Sequence, residues 1–125
     1  LTLTSMSTDY RRPIPFMEVH GTADKTSAWD GDPQNEGGWG AYLSVPSAIS
    51  HIVSANRCVA LSTTEIPAEY KRVILHHFTE GIPSRKGGPS SEVLLYEVQG
   101  GDHSWSERYI PTCDLVWDFF SGYLR

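Results

Sequence analysis

Cysteine is scarce in this chain: Cys58 and Cys113 are the only two in 125 residues. Two cysteines build no disulfide framework. They either pair with each other or remain thiols, and they do not decide the compartment. Long apolar runs are missing as well. None approaches the roughly 20 residues of a membrane span, and no signal-peptide pattern opens the sequence. Basic residues are outnumbered, 10 Lys and Arg against 15 Asp and Glu, for a net charge of −5. That balance offers no footprint for nucleic acid or an anionic membrane. There is no internal repeat and no low-complexity tract. Metal-ligand spacing is absent too. His76 and His77 are adjacent in a strand-like run, so they point to opposite faces. Asp30 and Asp32 in "WDGDP" lack the ligand spacing of a calcium loop. Nothing calls for a cofactor.

What is present reads as one α/β domain over residues 1–125, long enough for a core. The first residue is Leu1 rather than Met, and the expectation is a processed or excised piece. "RRPIPFMEVHGTAD" holds a short strand from about Pro15 to His20, left through Gly21. Residues 24 to 44 are loop-like, and a loop of that length is usually functional or disordered. "SVPSAISHIVSANRC" reads as a helix. Val45, Ala48, Ile49, Ile52 and Val53 form one apolar stripe. Ser44 is the N-cap, and Pro46 is tolerated in the first turn. Strands follow at about Arg72 to Phe78 and Glu92 to Val98. The second is apolar nearly throughout, as suits a strand covered on both faces. "DLVWDFFSGYLR" closes as a helix with Leu115, Val116, Phe119, Phe120 and Tyr123 inward, starting at Pro111 and Thr112. The order strand, helix, strand, strand, helix implies α/β layering.

The chemistry gathers behind two of these strands. "VHGTAD" places Asp24 just past the first, and "VQGGDHSWSE" places His103 just past the Glu92 to Val98 strand. In open α/β sheets, reactive groups collect at the carboxyl ends of strands. Asp24 and His103 therefore fall at one rim. A carboxylate bonded to an imidazole Nδ1–H fixes the tautomer and stabilises the imidazolium. That is the acid and base half of a Ser-His-Asp triad, and acid before histidine is the chain order of α/β-hydrolases. The bland readings are an Asx-turn acid for Asp24 and a surface or core role for His103. His20 reads as structural, bonding the turn backbone. Trp29, Trp39 and Trp105 are core residues or a platform for an aromatic acyl group or sugar ring.

"RPIPFMEVHGTAD", "AWDG", "GGW", "SVPSAISHIVSANRC" and "EVLLYEVQGGDHSW…LVWDFF" together resemble the carboxyl-terminal portion of an α/β-hydrolase serine esterase. The family contains polyhydroxybutyrate depolymerase-like proteins, feruloyl esterases and acetylxylan esterases. The resemblance implies Asp24 as catalytic acid and His103 as catalytic base. It also implies secretion and an ester substrate, either a plant cell-wall ester or a polyester. Family members often carry a cysteine bonded to one equivalent to Cys58, after a strand like that ending at Phe78; here that stretch reads "FTEGIPS". No G-x-S-x-G nucleophile elbow occurs, nor the oxyanion segment that precedes it. The expectation is a chain that contributes acid and base, with its partner the amino-terminal half that supplies the nucleophile. The other reading is a non-catalytic binding or interaction remnant of the same fold.

Overall fold

A computed structural model describes residues 13–38, 40–103 and 111–124. The elements run β1 (Phe16–Gly21), α1 (Val45–Asn56), β2 (Ala60–Ile66), β3 (Val73–Thr79), β4 (Val93–Val98) and α2 (Thr112–Ser121). The strands form one mixed sheet in the order β1-β4-β3-β2. β1 runs parallel to β4 in the register Phe16↔Val93 to Gly21↔Val98. β3 is antiparallel to both β4 and β2. The carboxyl ends of β1 and β4 therefore lie side by side.

β4 is apolar nearly throughout because each face meets its own core. Val93 and Leu95 pack with Phe16 of β1 and with Val45, Ile49 and Ile52 of α1. Leu94, Tyr96 and Val98 pack on the other face with Val73, Met17, Val19 and the α2 residues Leu115 and Phe119. Side chains alternate faces along a strand, so one helix covers each side. Ile52 has no exposed surface at all, and burying such a side chain stabilises by about 1.5–3 kcal/mol.

α1 begins where its signals put it. The Ser47 amide donates to Ser44 Oγ at 3.3 Å, and Pro46 sits in the first turn. It ends at Arg57, which adopts a left-handed conformation with φ 54°. At that end Asn56 is fully buried. Its Nδ2 donates to Ile14 O at 2.6 Å and to Ser91 O at 3.4 Å, and its Oδ1 accepts from Ile14 N at 2.9 Å. One side chain thus fixes the starts of β1 and β4 together.

Two expectations need correction. The sheet has an additional strand, β2, so the order is strand, helix, three strands, helix. "ALSTTEI" is an edge strand with both faces largely exposed, so no apolar alternation announces it. In α2, Leu115 and Phe119 face the core, but Val116 and Phe120 stand exposed with Trp117. The sheet covers only one stripe of this helix. No disulfide joins the cysteines: Cys58 is a half-buried thiol and Cys113 lies at the surface.

Asn56→Leu keeps the branched heavy-atom shape but strands three backbone groups of Ile14 and Ser91. Each buried polar group left without a partner costs about 1–3 kcal/mol. Urea unfolding should show a loss of at least roughly 2 kcal/mol with little change in slope; a loss near zero contradicts this account of how the strands are aligned.

Candidate active site

The rim of the site is a contact between two backbones. The Thr22 amide donates to Val98 O at 3.0 Å, and Ala23 N donates to Gly101 O at 2.8 Å. Gly100 N donates to Thr22 Oγ1 at 2.8 Å. A Cβ on Gly21 would lie 2.2 Å from Gly101 O, and one on Gly101 would lie 2.7 Å from Val98 Cγ1. Only glycine permits that approach. Gly100 also turns with φ 74°, a region that side chains disfavour. The glycines of "VHGTAD" and "VQGGDH" therefore bring the two exit turns together.

Asp24 follows as a buried acid. Its Oδ1 accepts from Thr26 N at 2.9 Å and Ser27 N at 2.8 Å, an Asx-type turn. Its Oδ2 lies 2.7 Å from His103 Nδ1. Burial works to raise the Asp24 pKa. The hydrogen bond from His103, the Ser27 and Thr26 amides and the charge of His103 outweigh it, so the carboxyl sits below its ordinary value. An ionised carboxylate only accepts. Nδ1 must therefore carry the proton, and the neutral ring presents a bare Nε2. The Asp24 side chain is 6% exposed and that of His103 56%. Among the described residues nothing bonds His103 Nε2, and no serine hydroxyl reaches it.

The other sequence candidates separate. His20 Nε2 lies 2.6 Å from Ser27 O, in the backbone-bonding role read for it. Trp29 packs against the core at Phe16 and α1, and meets the His20 ring edge-on at 5.9 Å. Its ring is partly buried there. Trp39 and Trp105 lie outside the described residues. His76 and His77 point to opposite faces, His76 2.8 Å from Glu97 and His77 3.3 Å from Glu92. The long loop is ordered by Asp32, whose two oxygens accept from Glu36 N and Gly37 N, and by a bridge to Tyr42. It encloses an open cleft of about 450 Å³, lined in part by Lys25, Thr26, Ala28 and Tyr42, beside the Asp24 turn. Sequence reasoning offered the Asx turn at Asp24 only as an alternative to the catalytic-acid reading; the structure shows the turn and the bond to His103 on the same carboxylate. An Asp three residues past a strand and followed by Lys-Thr-Ser was the available signal.

No family model, curated protein or solved structure matches the chain.

The lowered pKa has a sign in stability. Ionised Asp24 is favoured in the fold, so its contribution is complete above the unfolded value of about 3.9 and is lost as pH falls through the lower folded value. The stability difference between wild type and Asp24→Asn should hold from pH 7 to 5 and shrink below about pH 4. Chemical unfolding at stepped pH checks this. A difference that grows on acidification contradicts it.

Proposed function

We propose that this chain supplies the catalytic acid and base of an α/β-hydrolase serine carboxylester hydrolase. The observation that carries the reading is the 2.7 Å hydrogen bond between buried Asp24 and exposed His103 at the ends of adjacent parallel strands. The acid is shielded and bonded to backbone amides, while the base opens outward. That division suits a histidine serving a reacting group from outside.

The nucleophile and oxyanion donors would come from a polypeptide segment carrying a serine elbow, the partner this reading requires. Its serine Oγ attacks the ester carbonyl as His103 Nε2 takes the hydroxyl proton. Asp24 stabilises the imidazolium so formed and holds Nδ1–H in place. The tetrahedral oxyanion collapses, the C–O bond to the alcohol breaks, and Nε2 delivers its proton to the departing oxygen. Water then attacks the acyl-serine as Nε2 takes its proton, the acyl C–Oγ bond breaks, Nε2 returns the proton to the serine oxygen, and the carboxylic acid leaves. The resemblance supports secretion and a feruloyl, acetyl-xylan or hydroxyalkanoate ester as substrate. The cleft lined in part by Lys25, Thr26 and Tyr42, beside the Asp24 turn, would form part of the specificity surface.

A second reading rests on one observation. No described serine reaches His103, so the chain by itself would be a binding module that kept the fold and lost the chemistry. An in-frame G-x-S-x-G upstream in the gene favours the enzyme.

With these 125 residues alone, p-nitrophenyl acetate turnover should not exceed that of Asp24→Ala. In a longer polypeptide carrying the serine segment, His103→Ala and Asp24→Asn should each lower kcat, the second by about 10⁴ on the precedent of serine proteases. Trp39→Ala should mainly raise KM for a bulky ester if it is a platform. A folded His103→Ala protein with unchanged kcat would overturn the reading.

A further inference from the structure

We propose that His20 is a positioning residue, which holds Asp24 in the orientation that bonds His103. The proposal rests on reading Asp24 and His103 as acid and base.

His20 lies in β1 and is 7% exposed. Its Nε2 is 2.6 Å from Ser27 O. A carbonyl oxygen only accepts, so Nε2 carries the hydrogen and donates it. Ser27 is also the residue whose amide holds Asp24 Oδ1 at 2.8 Å. Ser27 is therefore gripped from both sides, its N–H by the acid and its C=O by His20. The same Nε2 lies 3.6 Å from Asp24 Oδ2, the oxygen that meets His103. That is too long for a second hydrogen bond, yet close enough for the N–H dipole to favour charge there. The Trp29 ring, edge-on at 68°, restricts the imidazole. A residue in the sheet thus anchors the turn that aims the acid. A role in packing alone would leave the Asp24–His103 bond intact when the Nε2 donor is removed.

The test compares His20→Phe with His20→Gln in this chain. Phe keeps a ring against Trp29 and loses the donor. Gln places an N–H the same number of bonds from Cβ as His Nε2. The readouts are the proton resonance of His103 Nδ1–H and the exchange rates of the Thr26 and Ser27 amides, with circular dichroism to confirm folding. His20→Phe should lose the Nδ1–H resonance and speed Ser27 exchange roughly ten-fold, the scale of one lost hydrogen bond. His20→Gln should restore both to within about three-fold of wild type on the same scale. A folded Phe variant with both signals unchanged, or a Gln variant as impaired as Phe, overturns the proposal. The wild-type chain adds a check that needs no variant. Neutral His20 should carry its proton on Nε2, and a dominant Nδ1–H tautomer in nitrogen NMR overturns the proposal too. None of these readouts involves ester turnover, so failure of the esterase reading leaves a separate signature.

Discussion

Backbone touches backbone where β1 and β4 leave the sheet, and the site depends on that contact. Gly21 and Gly101 stand so close that a methyl group on Gly21 would overlap Gly101 O. Parallel pairing sets the two exits at one edge. The glycines then remove the side chains that would hold the turns apart, and amide bonds from Thr22 and Ala23 close the gap. Only after that can residues 79 apart in sequence share a 2.7 Å hydrogen bond. The buried sheet contributes rigidity on both sides, since β4 is packed by one helix on each face.

Histidine-carboxylate pairing alone does not distinguish a reactive site. Such contacts among the described residues include His103 with Asp24, His20 with the same Asp24 at 3.6 Å, His76 with Glu97 and His77 with Glu92. The last two lie on the opposite faces of the β3–β4 hairpin, with both partners partly shielded. The first is asymmetric: its acid is covered and ligated by two further amides, and its base stands open. The electrostatics follow the same division. Hydrogen bonding overcomes burial at Asp24 and holds it ionised, so the charge that orients His103 is already in place before any reaction.

Much of this was legible from residue pattern, and the exceptions have physical causes. α1 was readable because Ser44, Pro46 and the stripe from Val45 to Ile52 all agree. β4 was readable because burial on both faces leaves a continuous apolar run. β2 escaped because Ser62, Thr63 and Thr64 lie on an exposed edge where neither face demands an apolar residue. In α2, apolar residues occur on more than one side, so periodicity could not tell Leu115 and Phe119 from Val116 and Phe120. Asp24 and His103 were found through their shared position after glycine turns. The Thr26 and Ser27 amides were legible only as an Asx turn set against the acid reading, because residue type does not show that one carboxylate can hold both the turn and a histidine.

The central claim is that Asp24 directs the proton of His103 to Nδ1 and leaves Nε2 as a base. Nitrogen-15 NMR of the His103 ring at a pH where it is neutral measures this directly. The account predicts the Nδ1–H tautomer in the wild-type chain and a shift toward Nε2–H in Asp24→Asn. A wild-type His103 that carries its proton mainly on Nε2, or a tautomer ratio untouched by Asp24→Asn, would contradict it.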